Sequence, residues 1–144
     1  MRIEKQLVDK QYYGKKRLKS DIKYIVVQTV GTKLPHYVVK DGKSIQHIPD
    51  EYITDAISGG KLNKQGYLHG ICTKHNSISI GVFDVMSDED KQTCLNLIMT
   101  LKQRYHIDNF DIVRQVDVTG AVNPRGWYES RAWAKDITDK LIDV

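Results

Sequence analysis

Residues 22–27 form a mostly apolar, largely β-branched run, interrupted by Lys23, with charged residues before it and Gly31 after it, the pattern of a strand buried on both faces. Two further strand-like runs, 36–40 and 44–48, are separated by Asp41-Gly42-Lys43, and a glycine-containing connection of that length predicts an antiparallel hairpin. Pro49 has no backbone donor and should end the pairing, so 50–57 reads as a short helix or turn. The glycines from Gly59-Gly60 to Gly66 mark a surface loop. Residues 77–82 open with hydroxyl and isoleucine in alternation, which predicts a strand with one apolar face and one polar face lining a cleft.

The rest of the chain changes period. Ser87, with Asp90 three positions later, has the chemistry of a helix start. Leu95, Ile98, Leu101 and Tyr105, flanked by Cys94 and Leu97, then follow the three-and-four spacing of an amphipathic helix laid on a sheet. A last helix is predicted from Ser130, with Trp133, Ile137 and Leu141 repeating every four residues. Strands mixed with a few covering helices give an α/β class, a mixed central β-sheet flanked by helices.

Composition narrows this picture. A chain of 144 residues, 40% hydrophobic, suits one domain over 1–144 with a core of useful size. Its apolar runs fall far short of the roughly 20 residues of a membrane-spanning helix, and its first ten residues lack a secretory apolar region, so the expected setting is cytoplasmic with no membrane partner. Cys72 and Cys94 are too few and too isolated for a disulfide framework and are expected to be reduced and buried. The net charge of +4 favours acidic partners. KKRLK at 15–19 is read as a solvated loop, because no aromatic reading surface accompanies it to favour nucleic acid.

Four segments carry more specific information: IKYIVVQTVG at 22–31, HYVVKDGKSIQHIPDE at 36–51, HNSISIGV at 75–82 and IVRQVDVTGAVNP at 112–124. In this order they resemble the zinc-dependent N-acetylmuramoyl-L-alanine amidases, a family that includes phage endolysins and shares its fold with the peptidoglycan recognition proteins. The corresponding family patterns are I-V-I-H-x-T-G, N-S-I-S-I-E and H-x-D-V-T-G-K-x-C-P. Laid over them, the two metal histidines fall on Gln28 and Gln115 and the metal cysteine on Asn123. The glutamate falls on Gly81 and the lysine on Ala121, while a cleft-lining A-W-H-x-G stretch falls on 56–59. Only Gly31 to Pro35 separate the first two strands, where the family has a sizeable segment, so a wall of the groove is expected to be missing.

Catalytic zinc needs three strong donors and one open position. An amide nitrogen has no free lone pair, and an amide oxygen suits harder cations. The resemblance therefore implies an amidase scaffold without its metal, and without a carboxylate or a cation for proton transfer and oxyanion stabilisation. The expectation is a catalytically inactive homologue, of phage or prophage type, that needs no cofactor and acts by binding. Its expected ligand is a muramyl-peptide fragment of peptidoglycan, contacted by Gln28, His36, Tyr37, Gln115, Thr119 and Asn123. Asp117 and Thr119 have an alternative as braces of a turn. The alternatives for function are sequestration of another small ligand such as a nucleotide-derived signal, a protein-interaction module with a host partner, and an enzyme with relocated chemistry. Cys72 with His69 and His75 is the one tempting replacement metal cluster, although its spacing matches no standard zinc pattern. Trp127 and Tyr128 could stack on a sugar or base, with a core anchor as the alternative for Trp127.

Overall fold

The computed structural model of the chain describes residues 2–57, 67–68, 70–119, 127 and 130–140. Six strands form one sheet: β1 (Ile3–Lys5), β2 (Tyr24–Thr29), β3 (Tyr37–Lys40), β4 (Lys43–Gln46), β5 (Ser77–Val82) and β6 (Ile112–Arg114), in the order β1-β4-β3-β5-β2-β6. Only β3 and β4 pair antiparallel; every other neighbouring pair is parallel. The helices are α1 (Asp88–Tyr105), α2 (Gln115–Thr119) and α3 (Ser130–Lys140).

The first strand begins two residues later than its apolar run, because the chain enters the sheet only at Tyr24, opposite Ser77 of β5. Ile22 is still buried, ahead of the strand. In the hairpin, Lys43 pairs with Lys40, so the turn is Asp41-Gly42 alone. Both residues have positive φ, 52° and 71°, as a two-residue turn matched to strand twist requires. Within 50–57 the chain makes a single 3-10 turn, Asp55–Ile57. The short strands β1 and β6 and the five-residue α2 carry too few residues for a period to show.

Ser87 caps α1, its Oγ accepting the Asp90 N–H at 3.1 Å. At the other end His106 adopts the left-handed conformation (φ 54°), and its N–H closes on Lys102 O. Cys94, Leu95, Leu97, Ile98 and Leu101 are buried against Ile25, Val27, Ile78 and Ile80. Trp133 and Ile137 of α3 and the fully buried Trp127 join this layer; Leu141 and Tyr128 lie outside the described residues. Trp127 stands at 5.3 Å from Trp133, edge to face, and donates Nε1–H to Asp136 at 2.7 Å, which makes it an anchor of the core. Cys72 and Cys94 are both free thiols in buried positions.

Strand β5 has the predicted bounds but not the predicted exposure. All six residues are buried. Its hydroxyls are consumed internally, Ser77 Oγ donating to Thr73 O at 2.6 Å and Ser79 Oγ accepting the His36 N–H at 3.1 Å. Alternation predicted the two faces; it could not say that a second layer of chain covers the polar one.

Candidate functional site

Strand register decides which side chains meet. Val27 pairs with Ile80, and Ile80 with Tyr37, so these three point to the α1 face of the sheet. Gln28 and Gly81 are paired one step on and belong to the other face, with Val26, Val113, Val118 and Cys72 packed there. Because Val27 also pairs with Arg114, Gln115 follows beside Gln28. The two amides thus stand at the carboxyl ends of the parallel strands β2 and β6, the end at which open α/β sheets hold ligands.

Gln28 is 1% exposed. Its Nε2 donates to Ala56 O at 2.9 Å, which fixes the orientation of the amide, and its buried Oε1 has no hydrogen-bond partner among the described residues. A buried acceptor left this way costs about 1–3 kcal/mol. Gln115 uses its Oε1 to accept the Thr29 N–H at 3.3 Å, and its main-chain carbonyl accepts the Thr119 hydroxyl at 3.2 Å. Gln28, Gln115 and Thr119 are therefore brought together. Asn123 and Ala121 lie outside the described residues, as do Ser58 and Gly59 of the 56–59 stretch.

The remaining two expected contact residues sit elsewhere. His36 is on the Gln28 face but 1% exposed, under the segment that supplies Tyr52 and Ala56. Its Nδ1 accepts the Ser79 N–H at 3.1 Å, and its Nε2 donates to Tyr52 O at 2.7 Å, a pairing that fits one neutral tautomer. Arg17 Nη2 approaches the same ring nitrogen at 3.3 Å. Burial, with the Arg17 charge acting in the same direction, lowers the His36 pKa to about 4. Tyr37 is fully buried and faces α1, its hydroxyl donating to Asp50 Oδ1 at 2.7 Å; burial first, then Asp50, raises its pKa.

Arg17 was hidden in the basic run. Rather than lying solvated, it is 8% exposed and donates to Asp50 O at 3.0 Å, Ser77 O at 2.7 Å, and Lys74 O and His75 O at 3.3 Å each. Its partners are 33 to 60 residues away, so no local pattern could reveal it. Asp117 is a brace: it accepts the Arg114 N–H at 2.9 Å and grips the Arg114 guanidinium at 2.9 and 3.2 Å. Arg114 then reaches Trp127 O at 3.2 Å, tying α2 to the Trp127 anchor.

The donor set at this floor does not fit zinc. Of the two described amides, one oxygen is taken by a backbone N–H, and the other is a single neutral donor of the hard type. Among the described residues no group of three His, Cys, Asp or Glu side chains could hold a metal ion. Cys72 is buried, which raises its thiol to about 12 and leaves it a protonated, poor ligand. His75 is exposed, and His69 lies outside the described residues.

The fold has close counterparts among solved structures. A mutant form of PlyL superposes with a TM-score of 0.76 at 20% identity, covering 100% of both chains. The fold is that of the amidases. The N-acetylmuramoyl-L-alanine amidase LysC from Clostridium intestinale superposes at 0.58 and 11% identity over 85% of this chain and 87% of its own. A mutant endolysin from Bacillus subtilis does so at 0.71 and 19% over 98% and 99%. No family model and no curated protein matches the chain. The α/β class, with its mixed sheet and helices, is the amidase-like one that the four segments implied.

Proposed function

We propose that this chain is a pseudoenzyme on an amidase scaffold, which binds a muramyl-peptide fragment of peptidoglycan at the amide floor and does not cleave it. The observation that carries this reading is Gln28: a buried amide locked by Ala56 O, with its carbonyl oxygen unpartnered among the described residues. Such an oxygen is an acceptor without a donor among the described residues, and, with Gln28 1% exposed, an amide N–H of a muramyl peptide reaches it by displacing the chain that covers it. Gln115 and Thr119 extend the floor with neutral donors and acceptors, and the motif likeness of 112–124 adds Asn123 to the proposed contacts. His36 and Tyr37 support it from beneath and behind rather than by contact.

The loss of chemistry is consistent across the site. Gln28 and Gln115 offer no zinc donor set, and Gly81 has no carboxylate to move a proton. The experiment is calorimetric titration with muramyl dipeptide and longer muropeptides, with free amino groups assayed in the same samples. Binding without product release is expected, and Gln28→Leu should weaken it by about tenfold, the worth of one buried hydrogen bond. Flat titrations at millimolar ligand, or amino-group release by zinc-loaded protein, would overturn the reading.

A further inference from the structure

A cavity of about 780 Å³ lies on the α1 face of the sheet, where Tyr37 points, and so on the opposite side from Gln28. Its size is within the roughly 300–1,000 Å³ of small-molecule sites. The floor is the Asp50 carboxylate, 9% exposed, which accepts the hydroxyls of Tyr37 and Tyr105, Arg104 Nη1 at 3.2 Å and Gln46 Nε2 at 3.4 Å. With four donors converging on it, this acid is fully engaged and holds the floor rigid. It is not a free anion awaiting a cation.

The walls divide by chemistry. Ile3, Leu7, Leu18 and Ile22 give an apolar side, with Leu7 49% and Leu18 69% exposed. Lys5, Arg17, Lys19 and Arg104 give four cations against the carboxylates of Asp50 and Glu51. Lys5 and Lys19 form no ion pair with a described residue, and Lys19 Nζ lies 5.7 Å from the centroid of the Tyr105 ring. Two unneutralised ammonium groups beside exposed leucines fit neither a bare inorganic ion nor a neutral hydrocarbon.

We infer that this cavity binds a single-chain amphiphilic anion, its alkyl chain along Ile3, Leu7 and Leu18 and its carboxylate or phosphate head at Lys5 and Lys19. The ammonium groups supply charge, and the aliphatic wall supplies the apolar area that a chain removes from water. The engaged Asp50 keeps the pocket open without competing for the head group.

Calorimetry with dodecyl phosphate below its micelle concentration tests this on the full chain. Binding is expected for dodecyl phosphate and for dodecanoate, and not for dodecanol or inorganic phosphate. Lys5→Glu with Lys19→Glu should weaken dodecyl phosphate at least tenfold, while Lys33→Glu, an exposed lysine away from the cavity, should not. Equal affinity for dodecanol, or equal effects of the paired reversal and of Lys33→Glu, would overturn the assignment. So would silence of the monomeric compound together with binding to vesicles of anionic phospholipid, which would place the charge at a lipid surface. The muropeptide titration reads the other face of the sheet, so each result stands without the other.

Discussion

Pro35 roofs Gly81. A Cβ at Gly81 would lie 2.8 Å from Pro35 Cγ and 2.9 Å from Val30 Cγ2, inside the contact distance of any real side chain. Where the chain cuts directly from Val30 to Pro35, it fills the space above β5 into which a side chain at position 81 would project.

Gly81→Ala should accordingly destabilise the fold by about 1–3 kcal/mol, the range of overpacking in a close-fitting interior, with Gly81→Glu at or beyond the upper end. Urea denaturation reads this as a lower midpoint at an unchanged slope. Lengthening the 31–35 connection with three or four small residues should restore the midpoint of Gly81→Ala by releasing the roof. If Gly81→Ala unfolds at the wild-type midpoint, Pro35 yields freely and does not close the space above Gly81.

Arg17 should matter more to stability than any other member of its basic run. Arg17→Met removes the donors to Asp50 O, Ser77 O and two neighbouring carbonyls, leaving the buried Asp50 and Ser77 acceptors without this partner at a cost of about 3 kcal/mol. Arg17→Lys keeps the charge but loses the planar fork, and should fall between wild type and Arg17→Met. Lys15→Met and Lys16→Met, at exposed positions, should change the midpoint little. Thermal and urea unfolding of the four variants gives the ranking, and an Arg17→Met protein as stable as wild type would contradict it.

These two positions show what the sequence carried and what it withheld. The long helix was legible because Ser87 is a local start signal and the stripe from Cys94 to Leu101 repeats a local rule over about two turns. The hairpin was legible because Asp41-Gly42 fits a two-residue turn. The identity of the floor residues, Gln28 and Gln115, came from motif likeness, and strand register places them side by side. What stayed hidden is long-range: Arg17 reaching Ser77, Asp50 gathering Tyr37 and Tyr105, Pro35 resting on Gly81. None of these contacts has a sequence period. The misread polar face of β5 has the same origin, since alternation reports that Ser77 and Ser79 share a side but not that Thr73 and His36 cover it.

His36 gives a pH signature. Its folded pKa, about 4, is below the 6.5 of a free histidine, so between these values the unfolded chain binds the extra proton and stability rises with pH. The contribution is complete above about pH 6.5 and is lost as pH falls through 4, with a total of about 3 kcal/mol from the two limits. Because carboxylates titrate in part of the same window, the informative quantity is the difference between wild type and His36→Asn. That difference should shrink by about 3 kcal/mol on going from pH 7 to pH 4; a constant offset would mean that His36 titrates normally in the folded protein, and a difference that grows toward pH 4 that it is charged there.

Restoring the metal donors separates scaffold from chemistry. Protein purified without chelator should contain well under one zinc per chain by mass spectrometry of the metal. Gln28→His, Gln115→His and Asn123→Cys together replace amides with imidazoles and a thiolate, and should raise this to about one per chain, since three such donors with one open position are what the ion requires. The positions of Gln28 and Gln115 at adjoining strand ends favour this convergence, while the third donor rests on the motif likeness of 112–124. Muropeptide cleavage should stay absent even in the zinc-loaded variant, because Pro35 and Val30 occupy the space in which a carboxylate at position 81 would stand. A folded triple variant that fails to take up zinc would show that these three positions do not converge. Cleavage by it would show that the metal alone was missing.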